Sequence, residues 1–139
     1  MSDKGELTLR LVPMPADTNP AGDVFGGWIM SQVDMAGAVL ATKIVKQRIV
    51  TAHISSLQFH KPVFVGDLVS CYASVEKFGH TSIHIHVDVF ADRGRTNEEH
   101  IKVTEADLVY VAIDENRKPT PIGDFFIDTT SKTTSTDQC

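Results

Sequence analysis

Gly26-Gly27-Trp28-Ile29-Met30-Ser31-Gln32-Val33-Asp34-Met35-Ala36-Gly37-Ala38-Val39-Leu40-Ala41-Thr42 is a run of seventeen residues with a single charge. At helical spacing Trp28, Ile29, Val33, Ala36, Gly37, Leu40, Ala41 and Ile44 form one apolar stripe, and Met30, Met35, Ala38 and Val39 fill much of the rest. A surface helix would carry a charged face, so this one is expected to be largely enclosed by other structure. It should begin near Gly26 or Gly27 and run to about Val45, where Lys43, Lys46 and Arg48 complement the negative end of its dipole. Asp34 is the exception within it. Taking an ionised carboxylate out of water costs several kcal/mol unless it is paired, so Asp34 is either functional or reaches solvent at a cleft.

Upstream, Glu6 to Val12 alternates polar and apolar residues and reads as a half-buried strand that stops at Pro13 and Pro15. Asp17-Thr18-Asn19-Pro20-Ala21-Gly22-Asp23 is turn and capping chemistry, a loop leading into the helix, with Asp23 as cap or loop anchor. Downstream come four strand candidates: Ile49 to Phe64, Asp67 to Phe78, Thr81 to Ala91 and His100 to Ile113. In the third, Ile83, Ile85, Val87 and Val89 share one face and His84, His86 and Asp88 the other. Strands two to four have short connections, which favour antiparallel neighbours. The order of strand, buried helix and four strands is best met by an α+β fold, an antiparallel sheet of five or six strands wrapped round one long central helix.

With 139 residues, 42% hydrophobic and 22% charged, the chain suits one domain, expected over residues 1–123, followed by a polar, disordered tail over 124–139. No run of about 18 apolar residues is present and Met1 to Glu6 is polar. Neither a membrane span nor a secretory signal is expected, and a cytoplasmic location follows. Cys71 and Cys139 stand far apart in sequence and give no disulfide framework; Cys71 reads as a small core residue. A net charge of −5 argues against nucleic-acid binding.

Met14-Pro15-Ala16-Asp17-Thr18-Asn19, followed by Gly22-Asp23-Val24-Phe25-Gly26-Gly27-Trp28-Ile29-Met30-Ser31-Gln32-Val33-Asp34, resembles the hotdog-fold acyl-CoA thioesterases, and within them the YciA-type bacterial enzymes. Phe59 with Lys61-Pro62-Val63, Val65-Gly66-Asp67, Gly79-His80-Thr81-Ser82 and Val103-Thr104-Glu105-Ala106 extend the resemblance over about Leu7 to Pro121. It implies a hotdog fold, hydrolysis of acyl-CoA thioesters without a cofactor, and a homodimer that commonly assembles into a homohexamer, a trimer of dimers. It also implies that Asp34, the acid on the central helix, is catalytic and that the amide of Gly26 or Gly27 polarises the thioester carbonyl.

The chemistry fits these residue types. An amide at a helix N-terminus points outward, the dipole favours negative charge there, and glycine lets a carbonyl approach closely. A carboxylate can serve as base toward water or as nucleophile. Eight residues at about 1.5 Å each separate Gly26 from Asp34 by roughly 12 Å, too far for both to act on one carbonyl, so the two should come from different protomers. Asn19 is a further catalytic candidate, able to position water or the thioester. For CoA, Gly79, His80, Thr81 and Ser82 are candidates for pantetheine or phosphate, and Lys61, Lys77, Arg93 and Arg95 for the phosphate charges.

His84, His86 and Asp88 could offer metal ligands from one strand face, but alternation on a wetted face explains them and no second ligand-bearing element is evident, so no metal is expected. A noncatalytic acyl-CoA binding module would have no use for Asp34. A hotdog hydratase or dehydratase would need a His near the helix motif, with His53 and His60 the nearest.

Overall fold

A computed structural model describes residues 5–94 and 99–123. The expected tail and Arg95 lie outside these residues. The chain folds as β1 (Glu6–Leu11), a short 3₁₀ turn (Pro15–Asp17), α1 (Gly26–Val45), β2 (Ile49–Phe59), β3 (Leu68–Phe78), β4 (Ser82–Arg93) and β5 (Glu99–Ala112). All five strands form one antiparallel sheet in the order β1-β3-β4-β5-β2. The helix lies across it and touches every strand.

Period-two alternation decides which residues meet the helix. Ile83, Ile85, Val87 and Val89 of β4 are all fully buried, and Ala106, Leu108 and Tyr110 of β5 share their face. From the helix, Ile29, Val33, Ala36, Leu40, Ala41 and Val45 close the core. Cys71 is buried there as a free thiol, and burial pushes its pKa up to about 12, so it is inert packing.

Two expectations need correction. The helix is enclosed on one side only: Met35 and Val39 are 49% and 46% exposed, because a single sheet covers one face and nothing among the described residues covers the other. β2 and β3, joined by a short connection, are not neighbours. β2 lies at the sheet edge beside β5, whereas β3 lies between β1 and β4. Pro62 ends the strand pattern before Phe64, and the connection is tied to the segment preceding α1 by a hydrogen bond from the Val24 amide to the Val63 carbonyl (2.9 Å). It therefore passes the helix start instead of closing a hairpin.

Candidate active site

The first turn of α1 is bare. Phe25 occupies the capping position without a side-chain bond, no acidic residue lies in the first turn, and Asp23 does not act as the cap. Among the described residues the Gly26 and Gly27 amides have no acceptor. Gly26 lines a cavity of about 360 Å³ together with Asn19, Ile29, Phe59, Lys61 and Val63 among others. The Phe59 ring stands 3.4 Å from where a Gly26 Cβ would be, and open space surrounds Gly27. Glycine thus leaves the Gly26 amide approachable from the cavity and adds no side chain at the next position.

Asn19 is held by the loop that it organises. Its Oδ1 accepts from the Ala21 and Asp23 amides (2.9 and 3.1 Å), and its own amide donates to the Asp23 carbonyl (2.7 Å). That leaves the side-chain NH₂ as the end with donor capacity, on the cavity wall. Asp23 is thereby a loop anchor through its backbone.

Asp34 does not line this cavity. It sits two turns further along α1, half-buried, where the Thr51 hydroxyl donates to its Oδ1 at 2.7 Å. The Tyr110 hydroxyl donates to the Asp34 main-chain carbonyl at 2.7 Å and lies 3.3 Å from Oδ1. Burial first, then the charge of Asp34 and the hydrogen bond to it, raise the Tyr110 pKa, so the phenol stays a donor. Neither Thr51 nor Tyr110 was legible as a partner of Asp34 from the sequence; both reach it through the β2–β5 register, in which Thr51 and Tyr110 are paired.

The other candidates divide between the two ends of the sheet. Lys61 is exposed at the cavity with no ion pair among the described residues. Arg93 is engaged: its guanidinium grips Asp67 with two bonds of 2.8 Å, donates to the Pro62 carbonyl (3.2 Å) and covers the Phe64 ring. Its employment is to fix the wall that carries Lys61 and Val63. Gly79, His80, Thr81 and Ser82 form the β3–β4 turn, closed by the Gly79 amide on the Ser82 carbonyl (2.8 Å). This turn lies beside the end of β5 and the start of β2, at the end of the sheet away from Phe59 and the cavity.

His60 lines the cavity, with Nε2 held 2.8 Å from Glu105. His53 is exposed on β2. His86 lies on the outer sheet face between Asp107 (Nδ1, 2.7 Å) and Asp88 (Nε2, 2.9 Å). Contrary to the sequence reading, β5 does bring a second set of carboxylates to this face, and His86, Asp88 and Glu105 converge without His84. Lys102 already bridges Asp88 and Glu105 at 3.1 and 3.2 Å, and His86 has both nitrogens committed.

Residues 21–98 match the Thioesterase superfamily. The acyl-CoA thioester hydrolase YciA of Salmonella typhimurium is 47% identical over 121 residues, covering 86% of this chain and 91% of the relative. A hexameric hotdog fold thioesterase of Campylobacter jejuni superposes with a TM-score of 0.85 at 42% identity, covering 94% of this chain and 99% of that one. The acyl-CoA hydrolase of Staphylococcus aureus, solved as an asparagine-to-alanine and as an aspartate-to-alanine mutant, gives TM-scores of 0.77 and 0.75 at 28% identity, covering 89% of this chain and 79% and 81% of the mutants. Among the described residues no helix is long and apolar enough to cross a membrane. Matched over most of its length in sequence and in fold, the chain belongs to the hotdog-fold Thioesterase superfamily and, within it, to the YciA-type acyl-CoA thioester hydrolases.

Proposed function

We propose that the enzyme cleaves acyl-CoA at a site shared by two protomers, with Gly26 and Gly27 of one and Asp34 of the other. One observation carries this reading: the cavity at the bare helix start is lined by Gly26 and not by Asp34 of the same chain. The two ends of the sheet hold complementary halves, Asn19, Gly26 and Lys61 at one, Asp34, Thr51 and the Gly79–Ser82 turn toward the other. A two-fold axis reverses strand direction and superposes one end on the other. β2 is an edge strand, so pairing of β2 with its copy about Ser55 sets Thr51 of one protomer opposite Phe59 of the partner subunit. The exposed Met35 and Val39 are then covered as well.

In this arrangement the thioester carbonyl accepts from the Gly26 and Gly27 amides while the Asp34 carboxylate acts as base or nucleophile. With water attacking, its oxygen bonds to the carbonyl carbon, its proton passes to Asp34, and negative charge collects on the oxygen facing the amides. Collapse of the tetrahedral species breaks the C–S bond, and the departing CoA sulfur takes the proton back. Asn19 donates its side-chain NH₂ into the same cavity. In the Staphylococcus aureus mutants the replaced asparagine and aspartate lie fifteen residues apart, as Asn19 and Asp34 do here, which supports pairing these two. Lys61 from one protomer and His80, Thr81 and Ser82 from the other meet CoA. The hexameric state of related thioesterases supports three such dimers per particle.

The test is complementation between two variants assayed on short and long acyl-CoA substrates. Asp34→Ala and Gly26→Pro are each expected to be nearly inactive alone. Co-refolded, a mixed dimer holds one intact site out of two, and about a quarter of wild-type activity should return. No recovery from the mixture, with mixed dimers confirmed by mass, would place both residues in one chain's site and overturn the proposal.

A further inference from the structure

Gly37 sits inside α1, where glycine weakens a helix relative to alanine. A Cβ at this position would run into the hydroxyl and ring of Tyr110. The missing side chain is therefore a notch, and it admits a phenol that is 0% exposed. Through it the Tyr110 hydroxyl reaches the Asp34 carbonyl at 2.7 Å and stands 3.3 Å from Oδ1. Thr51 approaches from the adjacent strand and donates to that same Oδ1 at 2.7 Å. Among the described residues nothing bonds Oδ2.

From this we infer that Tyr110 is a positioning residue for the hydrolysis, latched through the Gly37 notch so that Asp34 presents Oδ2 as its working oxygen. This rests on the reading of Asp34 as the catalytic carboxylate. The terminal torsion of an aspartate is broad, and one hydroxyl contact leaves the group free to swing about it. Tyr110 removes that freedom in two ways. It fixes the helix turn by its bond to the main chain, and it crowds the Thr51-bound oxygen so that the carboxylate cannot exchange its two oxygens. Reaction rates depend steeply on such placement, since a displacement of about 1 Å can cost around 10²-fold. The Tyr110 phenol is fully buried beneath Asp34 and its hydroxyl is spent on that residue, so substrate affinity should not depend on it.

Tyr110→Phe removes one oxygen and keeps the ring that fills the core. In the assembled enzyme it is expected to lower kcat by about 10- to 100-fold with KM within about twofold of wild type. The same substitution added to Asp34→Asn should cost nothing further, because no working carboxylate remains to be placed. Melting curves and KM report whether the variant is folded and binds, and Thr51→Val supplies a second arm by freeing Oδ1 from the other side, with the same kcat-specific loss expected. A Tyr110→Phe enzyme with wild-type kcat, alongside an inactive Asp34→Asn, overturns the latch and leaves catalytic Asp34 standing. A fully active Asp34→Asn overturns the underlying reading instead. A loss confined to KM or to melting temperature would make Tyr110 a structural residue and also overturn the inference.

Discussion

The first turn of α1 and the turn around Asp34 follow opposite plans. At the start of the helix two glycines replace side chains, no cap answers the amides, and an open cavity lies beyond them. Two turns later a fully buried tyrosine and a threonine from two strands converge on one aspartate. Bare donors suit a group that must arrive, change charge and leave, whereas a carboxylate that works on an approaching partner has to stay where it is put. The contrast also explains why α1 tolerates glycine at both places. Gly26 and Gly27 leave room at the helix start, for the thioester carbonyl in the function proposed; Gly37 leaves room for the Tyr110 hydroxyl.

The most severe way to break the contrast is to remove a donor without disturbing the helix. Gly26→Pro does this, because proline is accepted at the first helical position and Phe25, at φ −59° and ψ 139°, already has the extended conformation required before it. The expected result is a kcat lower by about 10²- to 10³-fold with a melting temperature close to wild type. A stopped assay on acyl-CoA with parallel calorimetry checks both. Unchanged kcat would move the donor role to Gly27 alone.

The start of the helix was readable in the sequence and the brace was not. Glycines, a polar loop before them and a seventeen-residue run with one charge fix α1 to within a residue at its N-terminus, since turn chemistry and apolar periodicity are local. The inner face of β4 was readable for the same reason. Tyr110 lies 76 residues from Asp34, and alternation says only which face it joins. Which helix turn it meets depends on the β2–β5 register, and β2 carries two irregularities that shift it. Arg93 is a similar case: nothing local marks Asp67 as its partner, 26 residues away, so in sequence it reads as a free cation. The β2–β3 relation misled because a short connection does not reveal that it passes the helix start.

If the working groups all belong to the inner layer, disturbing the outer sheet face should move stability and leave kcat alone. His86 on β4 faces Asp88 on its own strand, Glu76 on β3, and Glu105, Asp107 and Lys102 around the β5 side. Burial is the largest influence and lowers its pKa, but hydrogen bonds to Asp107 and Asp88 and their charges together outweigh it, leaving the pKa above the ordinary 6.5. A raised folded pKa means that the imidazolium contributes stability in full below pH 6.5, and that this contribution is lost as pH rises through the folded value. Melting temperature should therefore fall on going from below pH 6.5 to above it, and His86→Asn should flatten that fall at unchanged kcat. An equally steep fall in the variant would assign the pH dependence to another group.

The smallest expected effect comes from comparing two buried hydroxyls on the inner face of β5. Tyr110 has partners, and Thr104, fully buried and paired across the strands with Phe59, has none for its Oγ1 among the described residues. Removing a hydroxyl that is hydrogen-bonded strands its acceptor, whereas removing one that is unsatisfied relieves a desolvation cost of about 1–3 kcal/mol. Thr104→Val keeps the shape and should be neutral or stabilising by about 1 kcal/mol, with kcat on a short saturated acyl-CoA unchanged. Chemical denaturation measures the sign directly. Destabilisation by the same amount would mean that the Thr104 hydroxyl is satisfied in the assembled enzyme, and that the layer beneath Phe59 is more polar than its neighbours Ala106 and Leu108 make it.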